Sequence, residues 1–121
     1  MQLRNLKRWF FFSLAFKTLN KKGFINLSVV DFNILFSIEY LNSKSIPCSG
    51  YSIYSFLNKC GKSCSKQMLY QILRKFQELQ LILKKSNFPY VNYSLTLHGI
   101  NLLKDVENKV RKDQINKRKL S

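Results

Sequence analysis

At 121 residues the chain has the length of one domain, and a chain of this size removes roughly 65% of its unfolded surface from water without staples. Hydrophobic residues at 45% and aromatics at 14% exclude global disorder, and two Pro and four Gly leave room for long regular elements and few loops. Against 6 Asp plus Glu stand 21 Lys plus Arg, a net charge of +15 that exceeds what solubility asks for and points to a polyanionic partner.

Residues 1–20 read as a helix, with apolar residues at Leu3, Leu6, Phe10 and Leu14 and again at Trp9, Phe12, Phe16 and Leu19. Two adjoining stripes are wider than one face of a monomer normally buries. A strand through residues 9–12 is the competing reading, because aromatics favour sheets. Arg4, Lys7 and Arg8 precede this apolar run much as in an export signal. The run is closed by Lys17, however, and has no small-residue cleavage site after it. It is also too short to span a bilayer. Lys21, Lys22 and Gly23 then break the element.

Ser28 opens the next helix, with Ser28 and Asp31 at capping-box spacing. Phe32, Leu35, Phe36, Ile38 and Leu41 recur at helical intervals, so this helix is mostly core. Residues 42–47 end it, and Ile46 is placed to form a one-residue strand beside a later hairpin. A short helix over residues 50–58 turns Ile53, Phe56 and Leu57 inward. Residues 59–64 form a turn for which Gly61 supplies the backbone freedom. Ser65 is a good N-cap for a helix reaching Gln80. Its inner face is Leu69, Ile72, Leu73, Phe76 and Leu79, leaving Lys66, Gln67, Tyr70, Gln71, Arg74 and Lys75 outside. Residues 81–85 switch to a β-type run, and residues 86–89 carry turn chemistry. Residues 90–96 alternate, with Val91, Tyr93 and Leu95 on one face and Asn92, Ser94 and Thr96 on the other. A last helix starts near Leu97 and buries Leu102, Leu103, Val106 and Val110. After Lys112 the sequence is charged and poor in apolar residues, so residues 113–121, with Lys117, Arg118 and Lys119, are expected to be a fraying basic tail.

Helix, tight turn, longer helix, basic hairpin: residues 45–96 have the element order of a winged helix-turn-helix, a mainly α fold with a small β-hairpin wing. Residues 65–83, followed by Tyr93-Ser94-Leu95-Thr96-Leu97-His98-Gly99, resemble winged-helix regulators of the MarR and PadR type. Those families typically end the recognition helix in leucine, two polar residues and Lys-Gly-Leu-Ile; the counterpart here is Phe76-Gln77-Glu78-Leu79-Gln80-Leu81-Ile82. They open the helix after the wing with Leu-Thr-x-x-Gly, matched by Leu95-Thr96-Leu97-His98-Gly99. The likeness covers residues 27–104. Two departures stand out. Gln80 occupies the usual Gly position, so the helix-to-strand corner must be made differently. The Asp-x-Arg signal of a long wing is also absent. The resemblance implies a DNA-binding dimer built from the first and last helices. The apolar faces at both ends of the chain agree with that, since two-fold dimers match two DNA half-sites.

On the 65–80 helix, Gln67 and Gln71 have the chemistry to read adenine edges, and Arg74 to read guanine or hold phosphate. Lys66 and Ser65 lie near free helix amides, where a phosphate would sit. Tyr70 and Lys75 complete the exposed face, whose duller alternative is a solvated helix surface. Lys84, Lys85 and Asn87 at the hairpin can enter a minor groove or clamp phosphates, although edge-strand lysines also guard against aggregation. Cys48, Cys60 and Cys64 lack a secretory context and read as reduced packing residues. A zinc site of Cys48, Cys60, Cys64 and His98 has the wrong spacing. A redox switch would rest on Cys64, beside a helix N-terminus where a thiolate is favoured. With one His and six scattered acids, no catalytic arrangement is evident, so an enzyme is not expected.

The sequence thus predicts a cytoplasmic, sequence-specific double-stranded DNA-binding homodimer that regulates transcription. No cofactor, metal or membrane attachment is expected. Residues 1–24 form a dimerisation helix, residues 25–112 the winged-helix domain with its C-terminal helix, and residues 97–112 share in the dimer. The alternatives are a plasmid or phage replication or mobilisation factor, a winged-helix protein–protein adaptor docking through residues 9–12, and a peripheral membrane protein using residues 1–22.

Overall fold

The computed structural model describes residues 27–87 and 90–120, with side chains for 27–86 and 91–112. The expectations for residues 1–26 lie outside it. The order is α1 (Val29–Ser43), α2 (Gly50–Lys59), α3 (Lys66–Glu78), β1 (Ile82–Asn87), β2 (Tyr90–Leu95) and α4 (Leu97–Leu120). Contacts divide the chain into residues 30–103 and a second unit of residues 1–29 with 104–121. Among the described residues, no helix is long and apolar enough to cross a membrane.

Within residues 30–103 the core is carried by α1. Its apolar residues recur so densely that nine positions are buried, polar Asp31, Asn33 and Ser37 among them. Ser37 spends its hydroxyl on the Asn33 carbonyl one turn back, at 2.7 Å. Tyr40 stacks on Phe56 of α2, ring centroids 4.8 Å apart, joining the first two helices. Ser65 caps α3 by accepting from the Met68 amide at 3.1 Å, as the sequence predicts, and Ser49, not foreseen, caps α2 by accepting from the Ser52 amide. Leu69, Ile72, Leu73 and Phe76 form the buried face of α3. Leu79 does not join them: the helix stops at Glu78, and Leu79, its C-cap, is 55% exposed.

All three helices end in one device. The residue after the cap turns left-handed, and two backbone amides reach back to the last turn. After α1 these are Ser45 N to Asn42 O and Ile46 N to Leu41 O. After α2 they are Gly61 N to Asn58 O and Lys62 N to Leu57 O, and after α3 Gln80 N to Gln77 O and Leu81 N to Phe76 O. The left-handed residues are Ser45, Gly61 and Gln80, at φ of 56°, 68° and 59°. Gln80 therefore makes this corner in the left-handed conformation that glycine adopts most readily. The expectation of a differently built corner is corrected: two hydrogen bonds and the buried Leu81 and Phe76 hold a side-chain-bearing residue there.

The start of α4 locks this corner. Thr96 donates its hydroxyl to the Gln80 carbonyl at 2.6 Å and accepts from the Gly99 amide at 3.1 Å, while its own amide donates to the Leu81 carbonyl at 3.0 Å. A β-carbon at Gly99 would collide with that same Leu81 carbonyl. The Thr-x-x-Gly spacing thus has a local cause: threonine caps and clamps, and glycine lets the backbone pass.

The hairpin pairs Ile82 with Leu95 through Asn87 with Tyr90, antiparallel, and β1 runs two residues further toward the turn than the sequence predicts, while β2 starts at Tyr90 as expected. A two-stranded ribbon is marginal alone. Here Asn42 stabilises its open edge, donating to the Tyr93 carbonyl at 3.1 Å and accepting from the Leu95 amide at 3.2 Å. The strand-like contact expected at Ile46 falls instead on Cys48, whose carbonyl accepts from the Tyr93 amide and whose amide donates to the Asn92 side chain, both at 2.8 Å.

In the second unit, the backbone of α4 stays helical to Leu120, past the expected end at Lys112. Ion pairs Asp105–Lys109 and Glu107–Arg111, each four residues apart, contribute to its solvent side.

Candidate nucleic-acid interface

The outer surface of α3 is fixed by what flanks it. Leu69, Ile72, Leu73 and Phe76 point into the core, so at 100° per residue the opposite ridge is Gln67, Gln71, Arg74 and Glu78. All four are exposed. On one flank Lys75 leans toward α1, its ammonium 2.7 Å from the Asp31 carboxylate. On the other flank Lys66 lies over the Tyr54 ring of α2 at 5.4 Å, within cation–π range.

These contacts divide the cations foreseen as DNA contacts. Lys75 has its charge satisfied by the buried Asp31 carboxylate, 44 residues earlier in the chain. Lys66 is steered onto an aromatic face, with its ammonium still exposed. Among the described residues Arg74 is the cation of α3 with no partner, and it makes no ion pair with Glu78 one turn later. Ser65 is exposed, but its oxygen is committed to capping. Glu78, an unpaired acid on the outer ridge, and Met68, 44% exposed beside Gln67 and Gln71, belong to this surface and were not foreseen. Their signal was available in the helical angle, which counts position rather than residue type.

Tyr70 has a double position. It is 48% exposed, yet its phenol lies against α2 so closely that a β-carbon on Gly50 would strike the ring. The Tyr93 hydroxyl is pushed above its usual pKa, first by burial and then by the nearby Tyr70 and Cys48. Tyr70 therefore connects the α3 surface with the base of the hairpin.

On the hairpin, register separates the two foreseen lysines. Lys84 pairs with Tyr93 and Lys85 with Asn92, so neighbours in sequence occupy opposite faces. Lys84 shares the face of Tyr93, the side that meets α3, and both lysines are exposed. The Asn87 backbone closes β1, and its side chain lies outside the described set.

All three thiols are free, Cys48 and Cys60 buried, in keeping with reduced packing residues rather than with the alternative of a redox switch at Cys64. Burial pushes Cys64 up rather than leaving a thiolate at the α3 N-terminus, and burial raises Cys60 as well. Cys48 is pushed up to about 12, burial outweighing a hydrogen bond from the Tyr93 backbone. A low-pKa redox thiol is absent among them. Among the described residues no group of three or more His, Cys, Asp or Glu could hold a metal ion.

Helix-turn-helix, left-handed corner and anchored hairpin together define the winged-helix fold. Solved structures share it. A PadR family transcription regulator from hypervirulent Clostridium difficile is 20% identical, with a TM-score of 0.61 over 78% of this chain and 100% of its own. MepR, a transcription regulator of the Staphylococcus aureus multidrug efflux pump MepA, is 14% identical, with a TM-score of 0.65 over 100% of this chain and 85% of its own. BpsR of Bordetella bronchiseptica, whose DNA binding is regulated by 6-hydroxynicotinic acid, is 13% identical, with a TM-score of 0.56 over 93% and 78%. No protein-family model matches the sequence, and no curated protein matches it.

Proposed function

We propose that this chain binds double-stranded DNA sequence-specifically and regulates transcription as a homodimer. One observation carries the reading. The outward ridge of α3 offers Gln67, Gln71 and Arg74, side chains that hydrogen-bond base edges and have no partner among the described residues, beside a lysine-bearing hairpin on a chain of charge +15. The helix enters the major groove. Ser65, Lys66 and Lys75 lie toward phosphates, Tyr70 fills the groove wall, and Lys84, Lys85 and Asn87 of the hairpin follow the backbone or the adjacent minor groove. The fold neighbours, transcription regulators by name, support regulation over a replication or mobilisation role. Residues 1–24 and 97–112 form the dimer, for which the exposed Leu97 and Ile100 at the start of α4 provide apolar surface. The protein binds rather than catalyses, and as a DNA-bound regulator it works in the cytoplasm.

Duplex binding measured across salt tests the reading. With about six phosphates neutralised per dimer, log affinity against log salt falls with a slope of about −5. Binding that ignores salt, or no binding to any duplex at low salt, overturns it and favours a protein–protein adaptor.

A further inference from the structure

Resting on the duplex-binding reading above, we infer that α3 selects A·T base pairs through their major-groove edges, with thymine methyl groups docking on Met68. Gln67, Met68 and Gln71 sit at i, i+1 and i+4 in the first turns of α3, all exposed, and form one triangle on its surface. Among the described residues neither glutamine amide is engaged: the side-chain hydrogen bonds at α3 belong to Ser65, Lys75 and Gln77. A free carboxamide matches adenine, which offers an acceptor and a donor side by side, and it has no such fit to the two acceptors of guanine.

Met68 completes the match. Its backbone amide is committed to the Ser65 cap, which fixes where the residue stands, while its side chain is 44% exposed on the flank of the ridge next to Gln71. The thymine opposite an adenine carries the one apolar group in the major groove, its C5-methyl. A flexible thioether is suited to meet it. The cationic contributions lie elsewhere. Lys75 is held by Asp31, and Arg74, one turn beyond Gln71, is left for a guanine or a phosphate. The arrangement therefore specifies a run of A·T pairs under the helix N-terminus, bounded by one G·C pair or a phosphate under Arg74.

The full-length protein is used to select its tightest duplex from a randomised library, and that duplex is then altered at the selected pairs. Replacing thymine by uracil removes only the methyl groups. Replacing A·T by inosine·cytosine keeps an A·T-like minor groove but installs the major-groove pattern of G·C. The expected results are A·T-rich selected cores, about fourfold weaker binding per methyl removed, and at least about fivefold weaker binding per inosine·cytosine pair. In Met68→Ala the uracil effect disappears while the salt slope stays. Selected cores without A·T pairs, inosine·cytosine duplexes bound as tightly as A·T, or a uracil penalty unchanged in Met68→Ala would each overturn the inference, and duplex binding itself would still stand. Absence of binding to every duplex is the separate failure of the underlying reading.

Discussion

α1 and α3 are helices of similar length with opposite relations to water. In α1 nine of fifteen positions are buried, and the polar Asp31, Asn33 and Ser37 are among them. In α3 four of thirteen are buried, and its polar residues face out. A helix apolar almost all round is a scaffold, whereas one with a single apolar stripe has a surface left for a partner. Neighbouring residues show the division most sharply. Lys75 turns back to Asp31 of α1, and Arg74, one position earlier, has no partner among the described residues.

The largest effect should come from breaking the scaffold. Ile38 is fully buried at the centre of α1, so Ile38→Ala should cost about 2–5 kcal/mol in chemical denaturation, the range for a buried side chain that leaves a cavity. Gln71→Ala on the open face of α3 should change stability by less than about 0.5 kcal/mol, yet weaken DNA binding. Equal destabilisation by the two would erase the distinction.

Next comes the joint between scaffold and hairpin. Asn42→Ala removes two of the hydrogen bonds that hold the edge of β2, leaving those of Cys48, and deprives the Tyr93 carbonyl and the Leu95 amide of their Asn42 partner. A loss of about 1–3 kcal/mol is expected, with amide exchange rising first in β2. If β2 exchanges no faster than α3 in that variant, the clamp is not what anchors the hairpin.

These joints also show where sequence reasoning stops. The stripe of α3, its Ser65 cap and the Gly61 turn were legible because each depends on residues within a turn or two. The Asn42 clamp spans 51 residues and the Asp31–Lys75 pair 44, and nothing local to Asn42 or Lys75 signals either. Gln80 misled for a different reason. Its left-handed backbone costs energy locally, and distant Thr96, with the packed Leu81, holds it in place. At the α3 surface, residue type found Gln67, Gln71 and Arg74 but passed over Met68, an apolar residue at an outer position.

Smaller effects test the three helix corners against one another. Gln80→Gly should stabilise by about 0.5–1 kcal/mol, since glycine relieves the left-handed strain, and Gly61→Ala should destabilise by a similar amount. A melting temperature unchanged by Gln80→Gly would mean that the glutamine side chain contributes what its backbone costs. On the two neighbours of α3, Lys75→Ala should lower stability by about 1 kcal/mol or less, the lysine end of the pair being half-exposed to solvent screening. Arg74→Ala should leave stability alone and weaken duplex binding by about 1–3 kcal/mol.

The smallest effect lies on the scaffold side, at Cys48. Its thiol is raised from an ordinary value of 9.0 to about 12, because the folded state buries it beneath the hairpin. Above about pH 9 the unfolded chain releases that proton and the folded chain keeps it, so the folded state binds more protons and stability falls as pH rises. The contribution is complete below about pH 9 and is lost toward about pH 12, with a slope of at most about 1.4 kcal/mol per pH unit for one proton. Cys60, Cys64 and Tyr93 shift in the same direction, so the whole protein should lose stability through that window. Cys48→Ala carries a packing cost that does not vary with pH, and its stability should fall less steeply than the parent's between about pH 9 and 11. Parallel curves would place the Cys48 thiol in water and take Cys48 out of the buried anchor of the hairpin.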